Sequence, residues 1–182
     1  NMTELIRIPR GMKEKCYVIP DLVSSIKFEA AKGCTSLETL VIPESVKSIE
    51  EYAFAGCRKL QNLIGGDGII NIWSSAFDST NFSSLILGDS IVNIEGAAFS
   101  NCNNLKSVTV GKNTRNCADA FSNCPNLKEI IVDQENLHYS SDMMGVLYDK
   151  PKEVLIKMPE GYDGEFTIPN TVHTIGSYAM SQ

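Results

Sequence analysis

A phenylalanine returns at a nearly constant spacing along this chain of 182 residues. The rings stand at Phe54, Phe77, Phe99 and Phe121, which are 23, 22 and 22 residues apart, and an alanine precedes each of them. A period in the low twenties is the length of one supersecondary unit in a solenoid. The sequence therefore predicts a repeat array, in which each unit contacts its neighbours along one axis.

A single unit of this length cannot be stable on its own. In the unit spanning residues 37–60, each larger apolar side chain gains roughly 1.5–3 kcal/mol on full burial. Ordering the backbone costs about 1–2 kcal/mol per residue. Neighbouring units must therefore stack and bury each other's apolar faces, and the resulting body offers an extended surface more readily than a deep pocket.

Each unit contains two extended segments joined by turns. The pattern Leu37-x-x-Leu40-x-Ile42 has the alternation of a strand with one buried face, and Val46-x-x-Ile49 predicts a short extended segment on the opposite wall. Residues 50–56 predict about one helical or 3₁₀ turn that ends at a glycine. Equivalent strands of stacked units predict a parallel sheet.

The whole chain, residues 1–182, is predicted to be one domain. The repeats occupy about residues 19–132, a hairpin-containing block occupies about 133–168, and the start of another repeat occupies 169–182. Residues 149–151, Asp-Lys-Pro, predict the turn of the hairpin. Residues 5–11 match residues 155–161, and the chain starts and stops inside a repeat. We therefore expect it to be a fragment of a longer protein.

The cysteines follow the repeat more closely than they follow any pairing scheme. Four of the six share one column, and Thr80 holds the same place in the remaining unit: Cys34, Cys57, Cys102 and Cys124. A small, weakly polar side chain suits a buried place of this kind, so we expect reduced structural thiols there. Cys16 and Cys117 lie outside the column and are the candidates for reactive or crosslinking thiols.

The sequence lacks the residues that several classes of function require. The net charge is −6 and no Lys/Arg run is present, so we expect neither a nucleic-acid surface nor binding to an anionic membrane. No segment is apolar over the length of a membrane span, so we expect no membrane insertion by this fragment. His138 and His173 are far apart, no Gly-x-Ser-x-Gly motif occurs, and residues 65–68 lack the ending of a phosphate loop. We expect no metal, no cofactor and no catalytic residue.

The outward positions of the predicted strands form two columns. The first is small and polar, and consists of Thr39, Asn62, Ser84, Ser107 and Glu129. The second is mostly β-branched and apolar, and consists of Val41, Ile64, Ile86, Thr109 and Ile131. Two interpretations remain open. The second column reflects strand propensity with partial cover by its neighbours, or it is an exposed apolar stripe that docks a protein segment.

The repeated pattern Ile-Pro-x-x-Val-x-x-Ile-x-x-x-Ala-Phe-x-x-Cys-x-x-Leu, which begins at Ile42, resembles the BspA-like leucine-rich repeats. The hairpin segment from Tyr139 through Met-Met-Gly-Val-Leu-Tyr at 143–148 resembles their interleaved hairpin. The resemblance covers nearly the whole chain. Departures are Ala31 and Met180 in place of the ring, Thr80 in place of Cys, and Gly-Gly at 65–66 in place of Ile-Pro.

This resemblance implies a right-handed leucine-rich-repeat solenoid of the α/β type, mostly β, with a parallel sheet, short helical or 3₁₀ turns and a β-hairpin block. It also implies a surface or secreted protein of a host-associated bacterium or parasitic protist, with adhesion as the recurrent role. We expect a non-catalytic module that binds a host matrix or cell-surface protein through the sheet face. The alternatives are a structural spacer without its own ligand and an intracellular protein-interaction scaffold.

Overall fold

The computed structural model describes residues 3–9 and 11–181. Residues 1, 2, 10 and 182, which belong to the predicted domain, lie outside the described residues. The described strands are β1 Glu4–Leu5, β2 Cys16–Val18, β3 Ser25–Ile26, β4 Thr39–Ile42, β5 Ser48–Ile49, β6 Asn62–Gly65, β7 Asn71–Ile72, β8 Ser84–Leu87, β9 Asn93–Ile94, β10 Ser107–Val110, β11 Glu129–Val132, β12 Tyr139–Ser141, β13 Leu147–Asp149, β14 Val154–Lys157 and β15 Thr174–Ile175.

Long and short strands alternate along the chain and form opposite walls of a solenoid. The short strands make one five-stranded sheet in the order β1-β3-β5-β7-β9, and every pair in it is parallel. The longer strands make two three-stranded parallel sheets, β2-β4-β6 and β8-β10-β11. Adjacent strands come from successive units, which confirms the predicted parallel-sheet repeat fold.

The recurring rings form a continuous stack between the two walls. Phe54 and Phe77 lie with their centroids 5.3 Å apart, Phe77 and Phe99 are 5.2 Å apart, and Phe99 and Phe121 are 5.7 Å apart. The interplanar angles are 7°, 5° and 16°. All four side chains are buried. Because consecutive units supply consecutive rings, the stack joins each unit to the next.

The segment that follows each short strand and contains the ring is here called the arch, and it consists of turns. Among the described residues there is no α- or 3₁₀-helix. The expectation of a helical turn at residues 50–56 is corrected on this point. Tyr52 has φ 56° and Gly56 has φ 73°, and left-handed residues also stand on both sides of Phe77 and Phe99. The Phe54 N–H donates to the Ala76 carbonyl of the following unit at 2.7 Å. Since these N–H groups bond between units, they are not available for a helix.

The wall of longer strands is interrupted between β6 and β8. Asn62 follows Cys57 by five positions, whereas Ser84 follows Thr80 by only four, so the approach to β8 is one residue shorter. Phe82 stands near the place of Leu60, and its ring packs edge-on at 5.8 Å from the Phe77 ring. The shorter approach and the larger ring therefore coincide with the place where β8 does not pair with β6. The short-strand sheet continues unbroken through the same units.

The hairpin block closes the end of the second three-stranded sheet. β13 pairs antiparallel with β12 and with β14, and the β13–β14 connection runs through residues 150–153, at the predicted turn. The Ile130 N–H donates to the Gly145 carbonyl at 2.9 Å, so the segment before β13 covers the edge of β11. β14 then pairs in parallel with β15, which continues the repeat.

Candidate protein-binding surface

The strand register brings the members of each predicted column side by side. Across β4 and β6, Thr39 is opposite Asn62 and Val41 is opposite Ile64. Across β8, β10 and β11, one row contains Ser84, Ser107 and Glu129, and the other contains Ile86, Thr109 and Ile131. The interruption between β6 and β8 divides both columns into two halves. The sequence did not predict this division.

Exposure along the apolar column is greatest next to the interruption. Ile86 retains 85% of its accessible surface and Ile64 retains 54%, while Ile131 retains 44%. Val41 and Thr109 are half-buried. The neighbouring side chains therefore leave large parts of the three isoleucines in contact with water. In the polar column, Asn62, Ser84 and Glu129 are exposed, and Thr39 and Ser107 are half-buried.

Val18 extends the apolar column by one strand, and the sequence prediction omitted it. It lies opposite Val41 across β2 and β4, and 62% of its surface is exposed. The signal was present, because Val18 precedes an Ile-Pro pair just as Val41 does. At the far end, Met143 and Met144 are exposed in the turn whose Gly145 lies against Glu129. These residues enlarge the apolar surface at both ends of the wall.

A second exposed apolar cluster lies on the opposite wall, in the arches that follow the short strands. The Phe28 and Tyr52 rings meet edge to face at 6.1 Å, and Trp73 donates from Nε1 to the Ser48 hydroxyl at 3.0 Å. A shallow cavity of about 280 Å³ lies there, lined by Phe28, Ser48, Glu50, Glu51 and Trp73. The sequence prediction missed this cluster, although Trp73 is the only tryptophan of the chain.

Glu50 holds the aromatic cluster in place. Its carboxylate pairs with Lys27 and accepts hydrogen bonds from the Phe28 N–H at 3.0 Å and the Ser25 hydroxyl at 3.2 Å. Burial acts to raise the pKa of Glu50, but the hydrogen bonds from Lys27 and Phe28 outweigh it and hold the pKa below its usual range. The ionised carboxylate of Glu50 is therefore the form that makes these contacts in the arch.

The thiol column forms hydrogen bonds from one unit to the next. The Cys57 thiol donates to the Ala31 carbonyl at 3.2 Å, and the Cys124 thiol donates to the Phe99 carbonyl at 3.3 Å. All six cysteines lie in the described part of the chain, and none is in a disulfide. Burial raises the pKa of the Cys57 thiol to about 12. The Cys57 thiol therefore stays protonated at neutral pH and serves as a small buried donor.

The two cysteines outside the column differ from each other. Cys16 is exposed on β2, whereas Cys117 is fully buried and lies next to Tyr139. Burial raises the pKa of Cys117 to about 12. Cys117 is therefore not an accessible reactive thiol, which corrects the expectation that grouped it with Cys16. Cys16 alone keeps that possibility.

Within residues 3–9 and 11–181, no group of three or more His, Cys, Asp or Glu side chains is arranged to hold a metal ion. The same part of the chain contains no helix with the length and hydropathy of a membrane span.

Comparison with known proteins identifies the repeat. Six copies of the BspA type leucine rich repeat region match residues 24–143. No curated protein matches the chain. A leucine-rich repeat protein from Eubacterium ventriosum has a similar structure, with a TM-score of 0.82 and 24% identity over 92% of this chain and 45% of that one.

Two further solved structures share the fold. The pneumococcal vaccine antigen PcpA aligns with a TM-score of 0.72 and 22% identity, over 98% of this chain and 55% of that one. A leucine-rich repeat protein from Bacteroides ovatus aligns with a TM-score of 0.65 and 24% identity, over 90% of this chain and 40% of that one. The chain spans about half the length of these structures. At such identities the likeness is one of fold.

Proposed function

The chain belongs to the BspA type leucine-rich repeat family, and from this premise we propose that it is a non-catalytic module that binds a protein partner through the wall of longer strands. The observation that carries the proposal is the exposed apolar column. Val18 and Ile64 lie in the outward row of one half of the wall, Ile86 and Ile131 lie in the outward row of the other half, and each retains at least 44% of its surface. A row of this kind, flanked by small polar side chains, has the composition of a protein-docking surface.

We place the module at the cell surface or in a secreted protein, where its partner is a host matrix or cell-surface protein. The support is the family and the fold shared with PcpA, which is described as a vaccine antigen. Adhesion suits the architecture, because a solenoid presents a long rigid surface built from successive units. The chain acts as one segment of a longer repeat protein, which would extend the same wall.

The proposal is tested by charge substitution on the row. We expect the chain to bind a member of a panel of immobilised mammalian extracellular-matrix proteins, or intact epithelial cells, above its binding to serum albumin. The Ile86→Lys variant should lose this binding, because a buried contact at Ile86 would have to desolvate an ammonium group. Its matched control is Leu22→Lys, which places the same charge at an exposed leucine of a turn outside the row.

Both variants should keep the wild-type circular dichroism spectrum and unfolding midpoint, since Ile86 and Leu22 are exposed. Equal loss of binding in both variants, or full binding by Ile86→Lys, would contradict the placement on the sheet wall. Absence of any binding by the wild-type chain across the panel would favour a spacer that holds another domain away from the surface.

A further inference from the structure

The interruption of the longer-strand wall forms a cleft between β6 and β8. The cleft has a volume of about 370 Å³, which lies within the range of ligand-binding clefts. Leu63 and Leu85 line its sides, and the buried rings of Phe77, Phe82 and Phe99 line its floor. It is therefore a slot between two parallel strands that reaches the apolar core.

The β6 side of the cleft presents main-chain groups without a strand partner. The Asn62 and Gly66 N–H groups donate towards β4, to the Glu38 carbonyl at 3.2 Å and the Ile42 carbonyl at 2.8 Å. Successive residues of a strand direct their main-chain groups to opposite sides, so those of Leu63 and Gly65 face the cleft. In the described part of the chain, β6 pairs only with β4.

The β8 side presents a complementary edge. The Lys106 N–H donates to the Ser83 carbonyl at 2.9 Å, and β8 pairs with β10 along its whole length. By the same alternation, the main-chain groups of Ser84 and Ile86 face the cleft. Among the described residues no other strand pairs with β8. Each of these two edges can accept an added strand, as exposed sheet edges do in other proteins.

The cleft also lacks an apolar side chain that other units supply. The last strand residue is a buried Ile, Leu or Val in β4, β8, β10 and β11, but it is Gly65 in β6. Leu63 is half-buried, whereas its neighbour Leu40 is fully buried. Apolar surface is therefore open to the cleft at the level of Leu63 and Gly65. An inward-pointing apolar side chain would cover it.

Charge at one end of the cleft indicates which residue would lie there. Asp67 and Asp89 stand at equivalent positions of successive units, each two residues after the last residue of β6 or β8. These positions form a row at the end of the strands, and both aspartates are exposed. In the next unit that row holds Lys112, whose ammonium group lies 3.7 Å from the Asp89 carboxylate. Asp67 has no ion pair among the described residues. A strand placed in the cleft, parallel to its neighbours, would end between Asp67 and Asp89.

We propose that this cleft binds an extended peptide segment of a partner protein as an added parallel strand. The segment carries apolar residues at alternate positions, which point towards the ring stack, and a Lys or Arg at its carboxyl-terminal end, which lies between Asp67 and Asp89. The inference rests on the proposed function, because Ile64 and Ile86 stand on the two sides of the cleft and belong to the row assigned to partner binding.

The probe is a capped, fluorescently labelled hexapeptide with the sequence of residues 107–112, Ser-Val-Thr-Val-Gly-Lys. In the chain this segment follows β8 as a parallel strand, on the edge of β8 opposite the cleft, and its lysine contacts Asp89. In the cleft it would take the equivalent position next to β6. We expect saturable binding by fluorescence anisotropy. Hydrogen–deuterium exchange should slow at the amides of Leu63, Gly65, Ser84 and Ile86 when the peptide is added. The same peptide with N-methyl groups on its two valines keeps its side chains but loses the donors, and it should not bind.

The Asp67→Lys variant should bind the peptide about three- to tenfold more weakly, and a peptide ending in Glu should bind this variant better than it binds the wild-type chain. The matched control is Glu44→Lys. Glu44 is exposed in the same row one unit earlier, where the sheet is continuous, and this variant should bind like the wild type.

Three results would overturn the inference: no binding of the hexapeptide, equal binding of the N-methylated peptide, or protection of the Leu63 and Gly65 amides in the free chain, which would mean that the cleft is closed. If the free chain dimerises in analytical ultracentrifugation and Asp67→Lys abolishes the dimer, the cleft would be assigned to a second copy instead.

The panel test with Ile86→Lys and Leu22→Lys is independent of the peptide test. Panel binding without peptide binding refutes the strand site and leaves the proposed function standing.

Discussion

The rings of Phe77 and Phe99 lie parallel, with an interplanar angle of 5° and centroids 5.2 Å apart, and both are fully buried. Each ring comes from a different unit, so the contact belongs to neither unit alone. Aromatic pairs in an offset parallel arrangement contribute about 0.5–1.5 kcal/mol beyond the burial of their surface. The stack therefore stabilises the interface between units, and through it the wall that carries the proposed binding row.

Truncation within the ring stack should be costly. The Phe99→Ala variant removes a buried ring that contacts Phe77 and Phe121, and we expect it to lower the free energy of unfolding by about 3–5 kcal/mol. The control is Phe28→Ala, whose ring is 54% exposed, and its effect should stay below about 1 kcal/mol. Urea unfolding followed by circular dichroism measures both. Similar losses in the two variants would contradict the stacked core.

The six cysteines should differ in how fast their thiols react with a disulfide reagent. Only Cys16 is exposed, and the pKa values of Cys57 and Cys117 are raised to about 12, so one thiol per chain should react with a disulfide reagent in the native state. All six should react in guanidinium chloride. The Cys16→Ser variant should show no fast reaction. A second fast thiol in the native chain would contradict the burial of the column and of Cys117.

Gly65 should not tolerate a side chain. Its φ is 77°, and a Cβ atom there would stand 2.4 Å from the Ile42 carbonyl oxygen. We expect Gly65→Ala to lower the free energy of unfolding by more than about 1 kcal/mol. Gly11→Ala is the control, because Gly11 has no atom within 4 Å of its Cβ position. Urea denaturation measures the unfolding midpoint of both variants. An unchanged midpoint for Gly65→Ala would mean that the turn after β6 differs from the structure.

The contribution of Glu50 should depend on pH. Its pKa is lower in the folded state than in the unfolded chain, so its contribution is complete above the ordinary glutamate pKa of about 4.3 and is lost as the pH falls through the lower folded value. Thermal unfolding should show Glu50→Gln below the wild type at pH 7, with the difference closing in acid. Glu44→Gln, at an exposed glutamate, should track the wild type throughout. A difference that grows in acid would contradict the assigned direction.

The sequence was sufficient for the features that follow from periodicity alone. The alternation in Leu37-x-x-Leu40-x-Ile42 predicted both the strand and the side on which Thr39 and Val41 stand. It could not reveal the structure of the arches. There, the Phe54 N–H bonds the Ala76 carbonyl, which is 22 residues away in the chain. Because bonds of this kind join different units, a short segment with helical character, such as residues 50–56, folds as turns.

The interruption between β6 and β8 coincides with a single missing residue in the repeat. The repeat alignment already shows that Ser84 follows Thr80 by four positions where Asn62 follows Cys57 by five. The alignment does not indicate where the chain accommodates the missing residue, and it does not show that the Phe82 ring packs edge-on against the Phe77 ring. The aromatic cluster at Phe28, Tyr52 and Trp73 was missed for a related reason. Phe28, Tyr52 and Trp73 are 24 and 21 residues apart, but they follow their short strands by two, three and one residues. No single column of the repeat alignment therefore contains them.

The claim that the longer-strand wall binds the partner is tested most directly by footprinting the complex. Carbene labelling of the chain, alone and with the partner found in the panel, reports the exposure of side chains on both walls at once. We predict that labelling of Ile64, Ile86 and Ile131 falls on binding, while labelling of Trp73 and Phe28 on the opposite wall does not change. Protection of Trp73 and Phe28 with unchanged labelling of the three isoleucines would contradict the account.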